Sequence, residues 1–278
     1  MKLITRLLAR PGGALGIAII VFLSLLLITG FFFTPYPPNE MNIEDRLKPP
    51  SSAHLLGTDQ YGRDILSRVT VGMRSSLGVG LATVLVGLLL GVLIGAAAAS
   101  AGNPLEELLM RAMDVLYGFP PILIAILFTA ILGPSVFNAI LALALFNIPI
   151  FARLTRANFL SLKGRKFVEA ARAMGQSDLS VTKRHILPNM TSPLIVQATI
   201  QFSLAILAEA AFSYLGLGIQ PPTPSWGLML KQAQIFIPLS PWPAIFPGLA
   251  IMLTVLGFNL LGDALQDVLN PQLVTFRG

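Results

Sequence analysis

Cysteine is absent from the 278 residues, and charged side chains make up only 12% of them. The first absence excludes disulfides, thiolate chemistry and cysteine metal sites. Histidine is nearly absent too: His54 and His185 alone cannot build a multi-histidine centre within the chain. The shortage of charge is the more decisive lack, because a soluble domain carries roughly 25% charged residues. A chain that is 54% hydrophobic, with mean hydropathy +0.76, has too little polar surface to coat a soluble globule of this size. An ordinary soluble enzyme, a disordered chain and a disulfide scaffold are excluded. What remains is an all-α, polytopic membrane protein, since apolar segments in lipid must satisfy their backbone hydrogen bonds internally.

What is present is a series of long uncharged runs. A spanning helix needs about 20 mostly apolar residues. The intervals between charges predict six spans, at residues 14–36, 75–101, 107–132, 136–156, 189–215 and 243–265. Gly133-Pro134-Ser135 breaks one run too long for a single helix, giving a tight turn between the third and fourth spans. Residues 228–237 are apolar but too short to cross. The first run follows Lys2, Arg6 and Arg10 and superficially resembles a secretion signal. Its length and its Phe31-Phe32-Phe33-Thr34-Pro35 ending fit an uncleaved anchor better.

Orientation follows from lysine and arginine, which concentrate on the cytoplasmic side. Residues 153–188 hold eight basic residues against Glu169 and Asp178, a surplus equal to the whole formal net charge of +6. This loop is expected in the cytoplasm, and with it the N- and C-termini. The first loop, 37–74, balances five basic against five acidic residues and is expected outside. The basic character of the chain is thus a topology signal rather than a nucleic-acid site.

Several features carry open readings. Gly87, Gly91, Gly95 and Ala99 clear one face of the second span, either for packing within the chain or for a subunit seam. Pro120-Pro121 predicts a kink in the third span, which either helps shape a cavity or is static. Glu209 is the one acid in the middle of a span, and an intramembrane carboxyl faces a polar interior. It either lines a path or pairs with a partner helix. Trp226 and Trp242 suit the lipid–water boundary. The segment 226–237 predicts a short helix lying at that boundary or dipping into the external mouth.

The cytoplasmic loop is the most informative element. Glu169-Ala170-Ala171-Arg172-Ala173-Met174-Gly175 is strongly helix-forming, with the carboxylate near the positive dipole end. A short exposed helix of alanines and glycine presents a small surface that a groove can grip. This stretch, with Leu187-Pro188 completing it, resembles the EAA loop of ABC importer permeases, departing from the pattern at His185. Gly57-Thr58-Asp59-Gln60-Tyr61-Gly62-Arg63-Asp64, Gly216-Leu217-Gly218 through Trp226-Gly227, and Phe258-Asn259-Leu260-Leu261-Gly262-Asp263 look like the dipeptide/oligopeptide/nickel branch.

The resemblance implies a MetI-like permease fold in a bacterial inner membrane. It implies half of a heterodimeric pore, with residues 1–72 forming an N-terminal anchor helix and external loop. Residues 73–278 would form a five-helix core. Glu169, Ala170, Ala171, Arg172, Gly175, Leu187 and Pro188 would couple it to two cytoplasmic ATPase subunits, which bind ATP and magnesium. The chain has no phosphate-binding Gly-x-x-x-x-Gly-Lys-Ser/Thr loop of its own. A periplasmic or lipid-anchored binding protein would deliver substrate at the outer face, near Gln220, Pro221, Pro222 and Trp226. Peptides of two to several residues are the leading substrate, with a nickel chelate the alternative and glutathione-like or glycosidic solutes also compatible. A stand-alone secondary transporter is disfavoured by the near absence of ionisable residues in the spans. A membrane enzyme is disfavoured by the lack of any paired reactive cluster, and no metal site is expected.

Overall fold

The computed structural model describes residues 2–269, and every long element is helical. In chain order they are α1 (Lys2–Leu8), α2 (Pro11–Phe32), α3 (Ile65–Ala101), α4 (Asn103–Gly118), α5 (Pro121–Leu132) and α6 (Val136–Lys163). There follow α7 (Lys166–Ala173), α8 (Asp178–Val181), α9 (Leu187–Asn189), α10 (Thr191–Leu215), α11 (Trp226–Ala233) and α12 (Trp242–Leu269). Five of these, α2, α3, α6, α10 and α12, are each long and apolar enough to cross a membrane.

The expected third span is two helices, α4 and α5, bent by 81° at Pro120. The bend is far sharper than an ordinary proline kink, because Pro120 and Pro121 together withdraw two backbone donors. Contacts along α6 show that the pair nevertheless runs the full length of that helix. Arg156 Nε donates to Glu106 Oε1 at 2.6 Å, and Arg153 Nη2 to Asp114 Oδ1 at 2.7 Å. Tyr117 stacks on Phe146 with centroids 5.4 Å apart. Ala125 clusters with Ala139, Ala142 and Leu143, and Asn138 Nδ2 donates to Gly133 O at 2.8 Å. The partners descend α6 step by step, so α4 and α5 together form one broken span, the sixth.

The small-residue stripe of α3 closes against α6 within this chain. A Cβ on Gly87 would lie 2.5 Å from Asn147 Cβ, and one on Gly91 2.5 Å from Phe151 Cβ. One on Gly95 would lie 2.3 Å from Ala152 O. Of the two readings of that stripe, packing inside the chain is the one the structure adopts.

Two helices overrun their expected bounds. α3 begins at Ile65 rather than residue 75, and its 37 residues extend about 55 Å, well beyond a hydrocarbon core of roughly 30 Å. Arg68 and Arg74 suggested loop in the sequence, but Arg68 is buried in a polar cluster and the Arg74 guanidinium lies 3.9 Å over the Phe31 ring. α6 continues past Arg156 to Lys163. Arg10 pairs with Asp267, and Leu7 clusters with Ala264 and Leu265. The N-terminal helix, the end of α12 and the 164–190 loop therefore share one end of the bundle. The first loop and α11 occupy the other. The expectation for the C-terminus concerns residues 270–278, outside the described residues.

Candidate functional site

The 164–190 loop is a small folded knob rather than a linker. Val168 and Ala171, one turn apart on α7, are fully buried with Val181, Ile186 and Met190 against Ala99 and Phe159. That apolar underside follows from helical spacing. α7 ends in a Schellman motif: Gly175 N donates to Arg172 O at 2.8 Å and Gln176 N to Ala171 O at 3.2 Å. Gly175 holds φ +81°, a left-handed conformation that glycine adopts without steric cost. Arg172 pairs with Asp178 at 3.0 Å, closing the corner.

The returning arm is pinned twice. His185, the residue that departs from the expected pattern, places Nε2 3.2 Å from Gln176 Oε1. The backbone then widens into a π turn over Thr182–Ile186, with Leu187 N bonding Thr182 O. This wide turn accommodates Pro188, which lacks a donor and whose ring would crowd an ordinary helical carbonyl.

The outward face of the knob carries Glu169, Ala170, Arg172 and Gly175, all exposed, with Pro188 exposed and Leu187 half-buried on the returning arm. A side chain at Gly175 would meet nothing within 4 Å. The sequence reading missed Phe167, 42% exposed, and Leu179, 65%, and gave no separate role to Met174, 73% exposed within the expected run. These interrupt an otherwise charged surface. The available signal was their register, since they fall off the buried face of their helices.

The opposite end is built differently. Asp59 gathers two arginines, with Arg63 Nε at 2.7 Å and Arg68 Nε at 3.5 Å from Oδ2. Its Oδ1 accepts from Tyr61 N at 2.8 Å and Arg63 N at 3.0 Å. Arg68 Nη1 reaches Pro38 O and Asn39 Oδ1, both at 3.0 Å, and Arg63 Nη2 reaches Gln232 Oε1 on α11 at 3.0 Å. Asp64 caps α3 through Ser67 N at 2.8 Å and holds His54 Nδ1 at 3.0 Å. Asp45 accepts from Lys48, a bond that keeps its carboxyl below the usual range. The Gly57–Asp64 motif is thus a clasp that ties the first loop to α3 and α11.

Trp226, expected at the lipid boundary, is wholly buried instead. Its indole Nε1 donates to Val69 O at 3.0 Å, and its backbone N to Ser76 Oγ at 3.3 Å, so α11 is plugged into the bundle rather than lying beside it. Ser225 caps α11 through Leu228 N at 3.2 Å. Glu209 is also buried inside this chain, where Oε1 accepts from Ser213 Oγ at 2.7 Å and Oε2 has no hydrogen-bond partner among the described residues. Gln220 donates back to Gly216 O and Gly218 O at 3.0 Å, while Pro221 and Pro222 are exposed. The structure brings Glu209 and Trp226 into one packed region and leaves the proline pair at the surface. Among the described residues, no three His, Asp or Glu side chains form a group that would hold a metal ion.

Comparison with known proteins places this architecture. Residues 87–275 match the family model for binding-protein-dependent transport system inner membrane components. Residues 2–50 match the N-terminal transmembrane domain of oligopeptide transport permease C. The chain is 44% identical over 259 residues to the dipeptide transport system permease protein DppC of Alkalihalophilus pseudofirmus, covering 92% of this chain and 85% of that one. It is 45% identical over 257 residues to the glutathione transport system permease protein GsiD of Pectobacterium atrosepticum, covering 91% and 85%. Against the di/tripeptide permease DppC of Pseudomonas aeruginosa, identity is 43% over 268 residues, covering 94% and 88%. The fold is similar to a chain of the MetNI methionine ABC transporter in an inward-facing conformation. The TM-score is 0.60 at 18% identity, covering 72% of this chain and 96% of that one. The chain belongs to the family of binding-protein-dependent transport system inner membrane components, as a multi-pass permease subunit.

Proposed function

We propose that this permease imports small peptides as one half of a heterodimeric pore, driven by ATPase subunits that grip the 164–190 knob. The relatives carry the substrate class: two are named for dipeptides or di/tripeptides and one for glutathione. Glutathione is itself a tripeptide, so one small-peptide path accounts for all three names. The surplus of basic residues in and around the knob supports a cytoplasmic position for it, and with it the expected cytoplasmic position of both ends of the chain. ATP and magnesium are held by the ATPase partners, which supply the energy of nucleotide binding and hydrolysis.

The observation that carries the coupling role is the exposed glycine corner. Gly175 has empty space beyond it within this chain, and it directly follows Met174 at a projecting helix end. A corner of minimal bulk, flanked by uncovered apolar side chains, fits a groove on another protein. Motion of that groove reaches the bundle through α6 and α10, which the knob joins. At the opposite end, the exposed Pro221-Pro222 tip and the clasped first loop offer a rigid landing surface for a binding protein.

The test is uptake of labelled dialanine by vesicles holding the complete complex with its binding protein. Uptake is expected to require ATP inside the face that carries the knob. Gly175→Leu is expected to lower uptake by at least about tenfold, equivalent to roughly 1.4 kcal/mol of lost coupling. ATP hydrolysis and membrane insertion would persist. Uptake of dialanine without nucleotide, or full transport by the Gly175→Leu complex, would overturn the reading.

A further inference from the structure

At the knob end of the bundle, α6, α10 and α12 enclose an open cavity of about 430 Å³. Its polar lining is Asn158, Ser192, Gln197 and Gln266, its apolar lining includes Leu154 and Ile200, and none of its lining side chains is charged. Asn158 uses one amide hydrogen on Leu154 O at 2.8 Å, which leaves its carbonyl oxygen free. Gln197 and Gln266 have no hydrogen-bond partner among the described residues. Gln197 lies within the expected span 189–215, and polar side chains within spans face a bundle interior or a water-filled cavity, while Asn158 and Gln266 stand just past the ends of theirs.

The position ties the cavity to transport. α6 and α10, two of its walls, are the helices that the knob connects. Gln197 also begins a continuous face of α10. Leu204, Leu207, Ala211 and Tyr214 follow it at helical spacing, all exposed in the single chain. That face runs from the cavity to the opposite end, where Tyr214 OH bonds Gln234 Oε1 at 2.6 Å.

We propose that this cavity is a peptide-backbone subsite at the inner end of the transport path. A carboxamide carries the same acceptor and donor as a peptide bond, so Asn158, Gln197 and Gln266 match the one feature all small peptides share. The lack of charge in the lining makes the subsite indifferent to the sign of the peptide's side chains. Its volume lies within the roughly 300–1,000 Å³ of small-ligand sites. Displacement of the knob moves two of its walls directly. The inference rests on the small-peptide reading given above.

The absence of cysteine makes the test direct. Gln197→Cys in the full nucleotide-free complex is exposed to a membrane-impermeant thiol reagent on the knob side, with and without dialanine. At about ten times its Kd, dialanine is expected to slow labelling roughly tenfold, by simple occupancy. Ile195→Cys, exposed on another face of α10, is expected to show no protection. Equal labelling of Gln197→Cys with and without dialanine overturns the subsite, as does labelling only by a lipid-soluble maleimide, which marks a lipid-filled groove. Gln266→Cys reads the same cavity from α12 should the first variant fail to assemble. If the unmodified complex imports no dialanine, the small-peptide reading itself is wrong; if it imports dialanine while labelling is unprotected, only the subsite is wrong.

Discussion

The two ends of this bundle solve opposite problems. The clasp end is closed upon itself: Asp59, Arg63 and Arg68 are buried, with Asp59 between the two arginines, Trp226 is wholly enclosed, and α11 is capped and bonded to α3. The knob end has a complete underside and an incomplete top. Val168 and Ala171 are buried, while Phe167, Met174 and Leu179 are left exposed by this chain. Soluble surfaces rarely keep such residues together without a partner. The lesson is that rigidity is invested where the chain must hold shape alone. Apolar surface is left open where, under the proposed function, an ATPase subunit docks.

That contrast can be broken by mutations that act on one end and spare the other. The largest effect is expected from Asp59→Ala. Removing one partner of a buried ion pair leaves uncompensated charge and costs about 3–5 kcal/mol. Thermal unfolding of the purified subunit in detergent is expected to shift sharply downward, with poor recovery of folded protein. An unchanged melting temperature would mean that the clasp is decoration.

Met174→Asp is expected to behave in the reverse manner. An exposed apolar anchor at a protein interface contributes on the order of 1–2 kcal/mol. Affinity for the ATPase subunit, measured by titration, is expected to fall by roughly tenfold, while the melting temperature of the isolated subunit stays put. A stability loss without an affinity loss would assign Met174 to the chain's own packing. A smaller change is expected from Ser225→Ala, which deletes the cap of α11 at a cost of about 1 kcal/mol. Hydrogen exchange is expected to quicken in the first turn of α11 and nowhere in the knob.

Much of the architecture was legible because the bilayer imposes a simple rule on charge. Gaps between charged residues located the five long helices and the bent α4–α5 pair, and Gly133-Pro134-Ser135 placed the tight turn before α6. The same rule misplaced the start of α3. Arg68 is charged, but Asp59, nine residues earlier and folded back onto it, neutralises it within the protein. Pairing of that kind is invisible to a count of charges. Pro120-Pro121 announced a kink, whereas its 81° magnitude arises with the two segments packed along α6.

The candidate site was legible in outline for a related reason. The Glu169–Gly175 run speaks through local chemistry, namely helix propensity, a dipole-end carboxylate and a terminating glycine, and it formed as a helix with a Schellman end. Trp226 did not speak locally. Its partner is a backbone carbonyl 157 residues away, so nothing near it in sequence distinguished a buried anchor from a boundary residue. His185 lay in between: its departure from the family pattern was visible, but its tie to Gln176 required the folded loop.

The account stands on the knob being a cytoplasmic surface that a partner covers. Met174→Cys offers the most direct measurement, because no other thiol in the chain competes. In intact cells an impermeant maleimide is expected to leave this site unmodified. In opened membranes it is expected to react when the ATPase subunits are stripped away and to be shielded when they are restored. Labelling from outside intact cells, or equal labelling with and without the ATPase subunits, would contradict it.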